Sequence, residues 1–376
     1  MIIRFANPSS SIIFLTTGGR VPAAQEDGHT MRIRTGLMSG VALATAAVLT
    51  LSACSESGSD SGADSDTANQ ITVYNAQHES LTQEWVDAFT AETGIEVELR
   101  NGNDTELGNL LVAEGDQSPA DVFLTENSPA MTLVENAGLF ADVDQDVLDQ
   151  VPSQYRPSSG KWTGIAARST VFAYNKDTLP QDQLPKSLLD LQDPAWKDRW
   201  AASPSGADFQ AIISALLELK GEDATRQWLA GMKENVRTYQ GNNTVMKAVN
   251  AGEIPGGVIY HYYWFGDQAK TGENSDNVAL HYFKNEDPGA FVSVSGGGVL
   301  QSSTQQDAAQ QFLKFITGKQ GQEVLQTGTS FEYTVGSDVP ANPELVPLAE
   351  LQAPQVDPAK LNSPQVTELM TEAGLL

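Results

Sequence analysis

From Ile71 onward, short β-rich runs alternate with segments of helical period, and that alternation restricts the chain to an α/β architecture with a mostly parallel sheet. Ile71-Thr72-Val73-Tyr74 reads as a strand. Leu81, Trp85 and Phe89 then recur at helical spacing over 80–93, with Gly94 placed to stop the helix. A strand over 95–99, a helix marked by Leu107, Leu110 and Leu111, and a short buried strand over 121–124 continue the pattern. It resumes after Arg168 with a strand over 171–174, helices over 208–219, 223–235 and 244–251, and a strand over 257–260. Last come a strand over 291–294, a turn at Gly296-Gly297-Gly298 and a helix over 305–316. A chain of 376 residues is too long for one small core, so two α/β lobes with a cleft between them are expected.

The net charge of -26 repels phosphate backbones and anionic lipid, which argues against a nucleic-acid partner. A single cysteine, Cys54, excludes a disulfide framework and any cysteine-based metal cluster. Its setting points elsewhere. Arg32 and Arg34 precede an apolar run over 37–51, the length of a signal-peptide core and short for a membrane span. Leu51-Ser52-Ala53-Cys54 follows and resembles a bacterial lipoprotein cleavage site, which implies acylation of Cys54. On this reading 1–30 precede the true start at Met31, 31–53 are the signal peptide, and 54–69 are the lipidated cysteine and a flexible tether.

In open α/β sheets ligands bind where strands end and lead into helices. His78 lies just beyond the first strand and Glu126 just beyond the third, so parallel strands put both on one rim. Tyr262 and Tyr263 follow the strand that ends near Tyr260, within the aromatic run VIYHYYWF. Neighbouring residues of a strand face opposite sides, so two adjacent phenols share a target only if the strand has ended, for example in the first turn of a helix. One imidazole, one carboxylate and two phenols suit a small, hard trivalent cation, of which Fe3+ is the abundant one; Zn2+, Ca2+ and Mg2+ favour other donor sets.

The stretches ITVYNAQH, PADVFLTEN, AARS, SGAD, NNTVMKAVNAGEIP, HYYW and EDPGAFVSVSGG run in order along the chain. In this combination, from about Ile71 to Leu376, the sequence resembles the ferric-ion-binding proteins of bacterial ABC iron importers. The resemblance implies a two-lobed clamshell whose hinge strands cross twice. It implies one lobe over 70–168 plus about 293–340, and another over 169–292 plus about 341–376. It implies Fe3+ held by His78, Glu126, Tyr262 and Tyr263, with water or a synergistic anion (phosphate, carbonate or citrate) completing the coordination. The anion-binding positions that match are Ser205, Gly206 and Ala207 before a helix, then Asn242, with Arg168 near the cleft. Some phosphate-using relatives carry Asn where Tyr260 stands here, so the identity of the anion is open. The implied partners are ferric iron or a ferric chelate, an ABC permease, and a membrane reached only through the lipid anchor. The implied state is a monomer on the outer face of the cytoplasmic membrane.

Two other readings fit part of the sequence. A clamshell for an organic ligand, a polyamine or ferric chelate, would use the rings for stacking. A secreted metallohydrolase would use His78 and Glu126, but the chain has no H-E-x-x-H helix, Gly-x-Ser-x-Gly elbow or P-loop. The expectation is a binding protein, not an enzyme.

Overall fold

The structure, a computed structural model, describes residues 69–376. The upstream segment, signal peptide, Cys54 and all of the tether but its last residue lie outside the described residues. Among the described residues no helix is long and apolar enough to cross a membrane.

Among the described residues nine strands follow one another: β1 (Gln70–Asn75), β2 (Glu96–Asn101), β3 (Val122–Leu124), β4 (Thr163–Asn175), β5 (Trp200–Ala202), β6 (Val236–Thr238), β7 (Gly256–Tyr260), β8 (Val278–His281) and β9 (Val292–Val299). They pair in the order β2-β1-β3-β9-β4-β7-β5-β6, with β8 on β4. The outer pairs, β1 with β2 and β3, and β5 with β6 and β7, are parallel, as strand-helix alternation requires. The long central strands β4 and β9 run antiparallel to each other and to their neighbours. β4 changes partner midway. Thr163 to Ser169 pair with β9, and Thr170 to Tyr174 pair with β7.

Each half has its own core. In the first, the helix Glu79–Thr93 buries Leu81, Trp85 and Phe89 and ends at Gly94, whose φ of 72° suits glycine. Phe89 meets Phe312 and Phe315 edge to face at 5.0 and 5.6 Å. The buried Trp85 satisfies its indole N–H by donating to the Gly321 carbonyl at 2.8 Å. In the second half, Trp200 and Trp228 pack with ring centroids 6.0 Å apart, and the helix Ala207–Lys220 buries Phe209, Ile212, Ile213 and Leu216 beside them.

The expected turn at Gly296-Gly297-Gly298 is instead the interior of β9. The glycines are there for close approach. A Cβ at Gly296 would stand 2.3 Å from Met131 Cγ, one at Gly297 2.8 Å from Leu313 Cδ2, and one at Gly298 2.7 Å from Phe140 Cε1. The alternation of β9 also has a positional consequence. Ser293 and Ser295 hydrogen-bond toward the strand-end cluster, while Val292 and Val294 line a separate cavity of about 460 Å³ with Tyr155, Phe291 and Leu361.

Candidate functional site

Six polar side chains reach one place because the strands of both parallel sets, β1 and β3 in one half and β5, β6 and β7 in the other, end there. β1 ends at Asn75, and His78 occupies the N-cap position of the helix Glu79–Thr93, its ring free of any capping bond. β3 ends at Leu124, and Glu126 directly precedes Asn127, the N-cap of the helix Ser128–Asn136. β5 leads to Asp208, the second residue of the helix Ala207–Lys220. β6 leads to Asn242, which opens the helix Asn242–Asn250. β7 ends at Tyr260, and Tyr262 and Tyr263 are the first two residues of the helix Tyr262–Gln268. The expected break between strand and phenols is therefore present, and both rings turn to one side, with centroids 4.3 Å apart.

His78, Glu126, Tyr262 and Tyr263 are brought together. His78 Nε2 lies 3.0 Å from Glu126 Oε1. The His78 ring meets the Tyr262 ring edge-on at 4.9 Å. Both phenols donate to the same atom, Asp208 Oδ2, at 3.3 Å from Tyr262 and 3.0 Å from Tyr263. Asn242 donates to that atom at 2.8 Å, and Asn127 donates to Asp208 Oδ1 at 2.9 Å. An open recess of about 570 Å³, lined by His78, Ser80, Tyr262, Tyr263, Lys270 and Ser330, leads in from solvent.

The other expected positions lie at different depths. Tyr260 is fully buried, its hydroxyl 3.3 Å from Asn127 Oδ1 and 3.3 Å from the Asp208 carbonyl. Ser205 is exposed and donates to Gln240. Gly206 caps the Asp208 helix and Ala207 begins it. Arg168, fully buried at 0% exposure, bonds the Glu126 carbonyl, Ser295 and Glu332, and its guanidinium lies 5.6 Å from the Tyr262 ring centroid. Three acidic residues in this cluster, Asp104, Asp208 and Glu332, are not among the sequence candidates. Asp208 follows Ser205-Gly206-Ala207 and could have been found by the same strand-end rule. Glu332 lies in an irregular segment and carries no local signal.

Electrostatics here are dominated by burial and by a surplus of carboxylates. Burial, then the charges of Asp208 and Glu126, push both phenols well above their usual 10. Burial and Glu126 likewise raise Asp208, and they push Asp104, which accepts from the Glu126 backbone N–H, up to about 8. Burial disfavours a charged His78, but hydrogen bonds to Glu126 and Glu332 outweigh it and raise His78 to about 10. Burial of Glu332 is outweighed by Arg168 and His78, which hold it at about 2.

In the unfolded chain His78 releases its proton near 6.5, whereas the folded protein holds it to about 10. This stabilisation is complete below pH 6.5 and is lost as pH rises through 10. The urea midpoint of iron-free protein should fall across that window, and His78→Ala should flatten the fall. An equal slope in the variant would count against the coupling. The Glu332 contribution has the opposite sense: it is present above about 4.5 and is lost as pH falls toward 2.

Among the described residues no group of three or more His, Cys, Asp or Glu is arranged to hold a metal ion, so a metal centre here depends on the phenol oxygens. The set of two phenols, two carboxylates and one imidazole is rich in hard oxygen donors and matches a small trivalent cation better than a thiophilic or divalent one.

Residues 117–361 match the family model described as bacterial extracellular solute-binding protein. The chain is 67% identical over 316 residues to an Fe(3+)-binding periplasmic protein of Serratia marcescens, covering 84% of this chain and 94% of that protein. It is 35% identical to the major ferric iron-binding protein of Neisseria meningitidis serogroup B, covering 81% and 93%. Among solved structures, iron-bound HitA of Pseudomonas aeruginosa is similar with a TM-score of 0.77 and 39% identity, covering 81% of this chain and 99% of that one. A Trichodesmium protein in complex with iron and citrate is similar with a TM-score of 0.72 and 26% identity, covering 82% and 100%.

Proposed function

The chain belongs to the bacterial extracellular solute-binding proteins, with ferric iron-binding proteins among its relatives, and from that premise we propose that it captures Fe3+ in the cleft between its two halves and delivers it to an ABC importer. The observation that carries the reading is the convergence of Tyr262 and Tyr263 on one carboxylate oxygen beside His78 and Glu126. Two phenols aimed at one point are placed so that a cation can replace their protons, which are released on binding. The ligand set is His78, Glu126, Tyr262 and Tyr263, with the iron bridging the half built on β1–β3 and the half built on β5–β7. The lobes divide where β4 changes partner, between Ser169 and Thr170, and where β9 begins.

Asp208 revises the expected role of an outside anion. Its carboxylate sits in the first turn of a 14-residue helix, where partial positive charge favours an anion, and accepts from both tyrosines and two asparagines. These contacts support a role for it as a built-in fifth donor, in place of a phosphate or citrate oxygen. Two phenolates and two carboxylates set four negative charges against the three of Fe3+; Arg168 lies behind Tyr262 but is paired with Glu332, so one negative charge of the cluster stays in excess. Ser205, Gly206, Ala207 and Asn242 then act by holding Asp208 and its helix, with water at any remaining position.

The organic-ligand reading is disfavoured by the same geometry. Tyr262 is buried, with Tyr263, His78 and Arg168 around its ring, which leaves little of it for a stacked ligand. We keep the non-enzymatic reading, since the relatives are described as binding proteins. Extracytoplasmic location follows from the family. Anchoring through Cys54, the monomeric state and docking on a permease complete the proposal.

The test is an optical titration of purified protein with ferric citrate, followed by metal analysis. A tyrosinate–Fe3+ band with one iron per chain is expected, and a colourless protein would reject the reading. For Asp208, wild type should keep its affinity when phosphate is omitted. Asp208→Ala should lose about 10–100-fold and regain part of it on adding phosphate. Equal phosphate dependence in both proteins would remove Asp208 from the ligand set.

A further inference from the structure

Glu332 is the residue of this cluster with the least local reason to be there. It lies in an irregular segment after the helix Lys319–Thr327, yet its side chain is completely buried. Both oxygens are used. Oε2 takes Arg168 Nη2 at 2.5 Å, with Gln77 Nε2 and Ser295 Oγ each at 3.3 Å. Oε1 is directed at His78 Nδ1, 2.9 Å away. A buried ion pair needs only the first of these contacts. The second ties the carboxylate to the ring nitrogen that faces away from Glu126, since Nε2 is the nitrogen 3.0 Å from Glu126 Oε1.

The segment carrying Glu332 is held from the phenol side of the cleft. Phe331 has φ 54°, a left-handed conformation that bulky side chains rarely adopt and that persists only where the surroundings hold it. Its ring stacks on Phe265 with centroids 5.7 Å apart. Tyr333 stacks on His261 at 4.8 Å and pairs with Ala167 through two backbone hydrogen bonds of 2.8 and 3.0 Å. His261 and Phe265 flank Tyr262 and Tyr263 in sequence. The orientation of His78 is thus set by a strut anchored beside the two tyrosines.

We infer that Glu332 is a positioning residue: by accepting the His78 Nδ1–H, it fixes the imidazole tautomer and turns Nε2 toward the iron. This rests on the ligand set proposed above. A ligating histidine whose second nitrogen is held by a carboxylate keeps a fixed orientation and a more basic donor nitrogen. Only one nitrogen of His78 is then available to a cation, and it is the one on the Glu126 side.

The test is a cycle of four full-length proteins, wild type, Glu332→Gln, His78→Ala and the double variant, each titrated with ferric citrate against excess citrate. Glu332→Gln should weaken iron binding by about tenfold or more in the wild-type background. In the His78→Ala background it should change binding by less than about twofold, because its target is gone. The same loss in both backgrounds, or no loss in either, would overturn the inference and leave Glu332 as the partner of Arg168 alone. A wild type that takes up no iron and shows no colour would instead overturn the site assignment. If Glu332→Gln does not fold, wild type loaded with Ga3+, a diamagnetic substitute, decides the question by 1H–15N correlation spectra. His78 should show a single form with the proton on Nδ1. A proton on Nε2 with a bare Nδ1 would refute the proposal.

Discussion

Tyr262→Phe and Tyr263→Phe should each lower the affinity for Fe3+ by more than about 100-fold and shift or erase the visible band. Even second-layer partners of a metal are worth about 10–100-fold, and these are proposed to touch it. The change removes one oxygen and leaves the ring, so packing is preserved: Tyr262 keeps its contacts with Tyr263 and His78. Tyr263→Phe also deletes the shorter of the two bonds to Asp208, 3.0 Å against 3.3 Å, and should perturb the iron-free site more. His78→Ala should cost less than either, since imidazole is the softest donor of the set, and Glu126→Ala should lie between. Because burial and the neighbouring carboxylates hold both phenols far above 10, binding must expel their protons, and acid should release the iron. A citrate-competition titration with spectra recorded throughout is the measurement. If both phenylalanine variants keep wild-type colour and affinity, the aromatic run is packing and the proposed site is wrong.

Arg168→Met should destabilise the iron-free protein by about 3–5 kcal/mol, the usual cost of removing one member of a buried ion pair. The guanidinium and the Glu332 carboxylate are both fully buried, so the remaining carboxylate would have only His78 to offset its charge. Arg168 also bonds the Glu126 carbonyl and lies at the point where β4 leaves β9, so its loss loosens the turn that carries a proposed ligand. Urea unfolding at pH 7 checks the value. The paired change Arg168→Met with Glu332→Gln should recover a large part of the loss, because no uncompensated charge stays buried. A single variant within about 1 kcal/mol of wild type would mean that water reaches Glu332.

Much of this protein was legible in its sequence. The helix over 79–93 with its glycine stop, the strand-end placement of His78 and Glu126, and the helical first turn that turns Tyr262 and Tyr263 together are all local consequences of period and strand direction. A residue just past a parallel strand is placed on the rim whatever its partner is, so those four could be named from the chain alone. Asp208 was within reach by the same rule and was missed because its neighbours Ser205, Gly206 and Ala207 drew the reading toward an external anion. The triple glycine was misread because glycine marks both turns and close packing. Only Met131, Leu313 and Phe140, distant in sequence, reveal which applies.

What the tertiary structure alone decided is which charges meet. Glu332 reaches His78 across 254 positions and Arg168 across 164, from a segment without period or capping signal. Secondary structure follows from interactions a few residues long, and the chain writes those openly. A buried carboxylate follows from where the desolvated cations end up, and that is known only after β4 and β9 have crossed and the two halves have been set face to face. The chain by itself determined an α/β protein with hard oxygen donors gathered at its strand ends. The folded arrangement brought an internal carboxylate, Asp208, onto both phenols and buried a second, Glu332, against His78.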